Sequence, residues 1–141
     1  MSKENAELVQ AFFAAPGTMD KDTILANLPA MIEQICDREI EWVEDPQRAD
    51  GRVYRGHEGV RESFEQWFEQ WDEYEFEVDE IVDCGDRVLV KARESGRGAA
   101  SGATASARIY TVVTFRDRKI LRYQEFYDEA QALEAAGVRG E

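Results

Sequence analysis

A chain of 141 residues, 43% hydrophobic and 33% charged, holds enough apolar material for one core and little for a second, and it is too apolar to be a disordered chain. Seventeen Lys and Arg face thirty Asp and Glu, a net charge of −13. That balance argues against nucleic acid and anionic membrane as partners, because both attract a cationic surface.

The chain reads as one domain over residues 1–141, with 138–141 a frayed tail. Met1-Ser2-Lys3-Glu4-Asn5 turns amphipathic at once, without the basic and apolar runs of a secretory leader. No segment approaches the ~18 apolar residues of a membrane span. Cys36 and Cys84 stand far apart, beside no second Cys or His, so zinc and CxxC spacings are absent. Two buried thiols and a cytoplasmic location are the expectation.

In chain order, Leu8, Phe12 and Ala15 recur at helical spacing from Lys3 to about Ala14, with Ser2 as cap and Pro16-Gly17 as stop. Asp20 or Asp22 caps a second helix bearing Ile24 and Leu28. Pro29 suits the first turn of a third, short helix bearing Ile32 and Ile35. Ile40 to Val43 reads as a strand closed by Asp45-Pro46, and a loop runs through Asp50-Gly51 to a short strand at Val53-Tyr54. Gly56-His57-Glu58-Gly59 opens the strongest helix, with Val60, Phe64, Trp67, Phe68 and Trp71 along one stripe.

From Tyr74 the period is two: Tyr74, Phe76 and Val78 alternate with acids. Gly85-Asp86 turns the chain into a strand from Arg87 to Glu94, with Val88, Val90 and Ala92 on one face. Ser95 to Ala105 reads as a mobile hairpin end. Arg108 to Phe115 and Ile120 to Tyr127 are strands joined by a turn at Arg116-Asp117-Arg118-Lys119. Asp128 caps a terminal helix ending at Gly137, with Gln131 in the capping-box position. Helices, one strand, a long helix and then four antiparallel strands make an α+β fold. Glu58 to Asp86 is almost wholly acidic and Arg87 to Arg122 mostly basic, which points to pairing of the two surfaces or to plain solvation.

Phosphate-loop, dinucleotide, HExxH and GxSxG motifs are absent. His57 reads as a turn residue, and Gly96 to Gly102, with no helix behind it, as a loop. Neither a cofactor nor a metal is expected.

The segments Glu7-Leu8-Val9-Gln10, Ile40-Glu41-Trp42-Val43-Glu44-Asp45-Pro46, Val53 to Arg61, Gly85 to Val90, Tyr127 to Ala130 and Leu133 to Gly137 resemble the nuclear transport factor 2-like superfamily. The likeness is to its SnoaL-like and ketosteroid-isomerase-like branch. It implies a cone-shaped roll: a curved antiparallel sheet wrapped around the long helix, with N-terminal helices and a short C-terminal helix. A pocket opens at the wide end, and members often form homodimers through the outer sheet face. Tyr110, Val112 and Phe126 would supply that face, rimmed by Arg93, Arg108 and Arg122. Leu28 to Arg38 is longer than in compared members, which alters the pocket mouth.

The same resemblance nominates site residues. Asp45 matches the general base of ketosteroid isomerases, whose oxyanion hole needs a tyrosine and a protonated aspartate. Here Phe12 and Thr111 stand at those two positions, so steroid isomerisation is not expected. Glu125 matches the acid/base aspartate of SnoaL-type cyclases and shares strand parity with Tyr123 and Tyr127. Two carboxylates in an aromatic surround can divide acid and base roles. The alternative is that Asp45 bonds its own turn and Glu125 is solvated. Trp42, Tyr54, Phe64, Trp67, Phe76, Thr111, Tyr123 and Tyr127 are the expected pocket residues, with ordinary core packing as the alternative. The resemblance thus implies a pocket for a small, mostly apolar molecule, with isomerisation, cyclisation or hydration as candidate chemistry. A non-catalytic binding protein or a dimeric interaction module is the other reading.

Overall fold

Hydrophobic alternation from Tyr74 onward demands a sheet with one buried face, and seven strands build it. The structure, a computed structural model, describes residues 2–13, 18–45 and 52–137. In chain order these form α1 (Ser2–Phe12), β1 (Thr18–Asp20), α2 (Lys21–Ile35), β2 (Cys36–Val43), β3 (Val53–Arg55) and α3 (Gly56–Glu69). Then follow β4 (Trp71–Asp83), β5 (Arg87–Gly98), β6 (Thr104–Arg116), β7 (Lys119–Phe126) and α4 (Glu129–Ala136). The strand order is β1-β4-β5-β6-β7-β2-β3. Every pairing is antiparallel except β2 with β7, which is parallel. This curved, unclosed sheet with helices on it is the expected α+β cone.

The concave face carries the main core. Ile40, Val60, Val88, Val90 and Val113 are fully buried there, with Val9, Leu28 and Ile32 from the first two helices and Phe13 just after α1 against them. Each such side chain contributes roughly 1.5–3 kcal/mol by leaving water. Gly56, at φ +73°, makes the sharp entry from β3 into α3. An N–H of His57 donates to the Cys36 carbonyl at 2.8 Å, tying that helix start to β2. The β6–β7 turn holds Asp117 and Arg118 at φ 51° and 65°, the twist a two-residue hairpin needs.

Four expectations change. First, Pro29 does not start a helix: α2 runs unbroken past it, and Leu28 and Ile32 on either side are buried. Their burial outweighs the hydrogen bond that the ring removes. Asp20 is the cap, accepting the Thr23 N–H at 2.8 Å. Second, Thr18–Asp20 adds an edge strand on β4, and β2 starts at Cys36, with a register shift between Cys36 and Glu41. Third, residues 95–105 are mostly ordered ladder: β5 and β6 pair as far as Arg97 with Thr104. Fourth, the helix stripe ends at Phe68, because Trp71 opens β4. The expected stop at Pro16-Gly17, the loop through Asp50-Gly51 and the tail at 138–141 lie outside the described residues.

The outer face is arranged differently from the dimer expectation. Tyr110, Val112 and Phe126 are buried with Leu89 beneath Ala132 and Ala136 of α4. Asp128 caps that helix through the Gln131 N–H at 3.1 Å, and Gly137, at φ +80°, ends it. The apolar strip is therefore covered within the chain, and the argument that it calls for a second copy falls away. Beside it, acidic β4 meets basic β5: Arg93 bonds Glu77 and Asp79, Lys91 bonds Glu80, and Arg97 bonds Glu73. No helix among the described residues is long and apolar enough to cross a membrane.

Candidate functional site

The cone encloses a cavity of about 410 Å³ between the concave sheet and the helices. The end of helix α1 supplies Phe12, and Phe13 follows directly after it. Helix α2 supplies Ile24, Asn27, Met31 and Gln34, and α3 supplies Ser63, Phe64, Trp67 and Phe68. The sheet supplies Trp42, Tyr74, Phe76, Glu94, Ile109, Tyr123 and Glu125, and Glu44 and Tyr127 follow the ends of β2 and β7. Met31 and Gln34, in the segment from Leu28 to Arg38, thus form part of the wall.

Ring packing fixes this wall. Trp42 stacks on Tyr123 with centroids 3.7 Å apart and planes at 5°, because the parallel register sets the two side by side. Phe13 stacks on Phe76 at 5.3 Å, and Phe68 meets Tyr74 edge-on at 5.2 Å. Such pairs each add about 0.5–1.5 kcal/mol beyond area burial.

A polar network crosses this apolar surface. The Tyr74 hydroxyl donates to Glu94 Oε2 at 2.6 Å, and the Tyr127 hydroxyl donates to Glu94 Oε1 at 3.3 Å. Glu94 is only 8% exposed. Burial pushes the Tyr74 phenol well above its ordinary range, and the charge of Glu94 beside it adds to the shift. Burial likewise raises Tyr123, with Glu125 contributing, while the neighbouring Thr111 hydroxyl opposes the shift. Both phenols therefore stay protonated and act as donors across the physiological range.

Of the predicted pocket residues, Trp42, Phe64, Trp67, Phe76, Tyr123 and Tyr127 line the cavity together with Glu125. Tyr54 does not: it is buried on edge strand β3, and its hydroxyl donates to Gln66 at 2.9 Å. Thr111 does not either. It sits opposite Glu125 in the ladder but is 1% exposed and packed beneath the cavity floor. Asp45 is 0% exposed, absent from the lining, and its Oδ2 accepts the backbone N–H of Tyr127 at 2.6 Å. It belongs to the frame of the site and does not share the cavity with Glu125.

Glu94, Glu44 and Tyr74 are the acids and phenol that the sequence reading missed. Strand parity holds the signal for two of them. Glu94 follows Val88, Val90 and Ala92 on the inward face, and Glu44 follows Trp42. Their charge argued for solvent, and tertiary enclosure overrode it.

A larger groove, about 620 Å³, lies along Asp20, Lys21, Asp72, Glu73, Arg97 and Ser106, and among the described residues it shares only Tyr74 with the cone cavity. Its charged walls lack the apolar surround with few convergent polar groups that small-molecule sites use. Among the described residues, no three His, Cys, Asp or Glu side chains are grouped to hold a metal.

The SnoaL-like domain family matches residues 9–123, and the chain belongs to that family. Among solved structures, it resembles a nuclear transport factor 2-like protein from Burkholderia thailandensis at 28% identity, over 92% of this chain and 96% of that one, with a TM-score of 0.74. A protein from Jannaschia sp. assigned as a SnoaL-like polyketide cyclase is 17% identical, over 98% and 94% of the two chains, with a TM-score of 0.72. A ketosteroid-isomerase-like-fold protein from Catenulispora acidiphila, solved with trimethylamine, is 19% identical over 94% of each chain, with a TM-score of 0.68. No curated protein matches the sequence.

Proposed function

We propose that the cone binds a small, mostly apolar molecule and moves a proton on it, with Glu125 as the group that takes or gives that proton. The observation that carries this reading is the convergence of Glu125, Glu94 and tyrosine hydroxyls on one aromatic cavity of about 410 Å³, a volume within the ordinary range for small-molecule sites. Glu125 is half-buried and faces the cavity, so a bound molecule can reach it. Glu94 is already engaged by the hydroxyls of Tyr74 and Tyr127 and serves as the second polar anchor. The protonated phenol of Tyr123 is the donor for a developing oxyanion in this reading, in place of the donors that Phe12 and Thr111 do not provide, since Tyr74 and Tyr127 give their hydroxyl protons to Glu94. Isomerisation, cyclisation and hydration all need only such proton transfers. Asp45 takes a positioning role in this reading, holding the backbone at Tyr127.

The test is a thermal-shift screen of small apolar carbonyl compounds and enols, followed by turnover assays on those that bind. Glu125→Gln should lower kcat by about 10²–10⁴-fold with little change in melting temperature. Unchanged turnover in that variant would defeat the acid–base role.

A second reading, binding without catalysis, is favoured by one observation: Phe12 lines the cavity with a bare ring where a tyrosine donor would stand. Ligands that bind tightly and emerge unaltered after long incubation would decide for it. Association of two copies through the outer face would have to use the charged strip at Arg93, Arg108 and Arg122, since α4 occupies the apolar one.

A further inference from the structure

The concave face does not stop at the cone. Its inward side chains run Ala92, Glu94, Gly96 along β5 and Ile109, Ala107, Ala105 along β6, because alternate residues of a strand share a face. The register sets Glu94 beside Ala107 and Gly96 beside Ala105, with Tyr74 on the other flank of Gly96. Toward the β5–β6 hairpin end the side chains thus shrink from isoleucine to alanine and glycine. They leave a trough of about 200 Å³, walled on one side by Trp71, whose ring lies against Gly96.

Tyr74, Glu94 and Tyr127 line both this trough and the cone cavity, so the two spaces share one wall. At its other end the trough shares Ser95, Gly96, Ala105 and Ser106 with the charged groove along Lys21 and Arg97. The order along the face is therefore aromatic cone, hydrogen-bonded wall, apolar trough, charged groove. Ala105 and Ala107 are exposed. Alanine is a poor strand former, and at these places it leaves room instead of packing. A molecule confined to the cone buries only its own body. One with a tail along the trough buries further apolar area against Trp71, Ala105 and Ala107, up to the groove, where charged side chains keep water.

We infer that the ligand of this site is elongated: a compact ring body in the cone, joined to a straight apolar tail that lies in the trough beyond the Tyr74–Glu94–Tyr127 bonds. This rests on the reading of the cone as a ligand site and deepens it. It makes Ala107 and Ala105 the residues that set how long a tail the protein accepts.

The probes are hydroxyphenanthrenes with a straight alkyl tail remote from the hydroxyl, from methyl to hexyl. Three fused rings occupy most of the cone and leave a tail little room beside them. Binding is followed by calorimetry and by the fluorescence of the probe. The hexyl compound should bind the native protein at least about ten-fold more tightly than the methyl compound. That is well under the roughly four-fold per fully buried methylene, because the trough is open on one side. Ala107→Phe fills the trough: the hexyl compound should fall to the affinity of the methyl compound, which keeps its native value. If affinity in the native protein is flat or falls from methyl to hexyl, or if the gain survives in Ala107→Phe, the trough assignment is overturned while the ligand-site reading stands. If not even the methyl compound binds, the ligand-site reading fails and the trough assignment with it. Should Ala107→Phe melt early or lose the methyl compound, the same comparison in Ala105→Phe decides, since Ala105 lines the trough and not the cone.

Discussion

At the scale of single residues, the carboxylate of Asp45 accepts the Tyr127 N–H in a fully buried place. Asp45→Ala strands that donor, and we expect a loss of about 1–3 kcal/mol in denaturant unfolding. A variant as stable as the native protein would show the contact to be idle. Glu125 is the converse case: half-buried at a cavity wall, it should be replaceable by Gln with little cost in stability. The thiols give another test. Burial pushes Cys36 up to about 12 and also raises Cys84. At pH 8 a thiol of that kind is thiolate only to about one part in 10⁴, and the thiolate is the reactive form. Cys36 should therefore ignore Ellman's reagent in the native protein and react once denaturant unfolds it.

Between elements, small residues decide how closely surfaces meet. Gly96 on β5 lies under the Trp71 ring, and a Cβ there would come within 2.6 Å of the Glu73 carbonyl and 2.7 Å of the indole. Backbone cannot yield as a flexible side chain can, so Gly96→Ala should cost about 1–3 kcal/mol. The melting temperature reads this directly, and an unchanged value would mean that the β4–β5 ladder has slack. On the other side of the sheet, Ala132 and Ala136 let α4 lie flat on Leu89, Tyr110, Val112 and Phe126. Ala132→Glu should lift that helix, lower the melting temperature and expose an apolar strip that binds hydrophobic dye and raises light scattering. A variant that stays dye-silent would contradict the covering role of α4.

Over the whole molecule, an acidic chain holds together by setting its unlike charges beside one another in adjacent strands. Hydrogen bonds from the Glu39 N–H and from Arg116 hold Asp37 below the usual carboxylate range, tying the irregular start of β2 to β6. A depressed carboxylate stabilises the fold above its unfolded-state value and loses that contribution as pH falls through the folded one. Asp37→Asn should thus lower stability at neutral pH and make no difference in strong acid, where native and variant melting curves should converge. A pH-independent difference would assign the effect to packing instead. The order of elements and the inward faces of β5, β6 and β7 were legible from period-two alternation. Trp42, Phe64, Trp67, Tyr123 and Glu125 could be nominated for the site because the resemblance gave the cone its axis. Asp45 and Tyr54 were misplaced because turn and edge positions carry no parity signal that separates cavity from frame.

By itself, the amino-acid order determined the first and long helices, the terminal helix and the inward faces of β5, β6 and β7, because backbone propensity and apolar period act over a few residues. It also determined the mean charge and the supply of rings. Only the tertiary structure decided that α2 crosses Pro29, that α4 covers the outer strip, and that Glu94 turns inward to meet Tyr74 and Tyr127. Each of these depends on contacts between residues distant in sequence, where the burial of neighbours outweighs a local preference for breaking a helix or for exposing a charge.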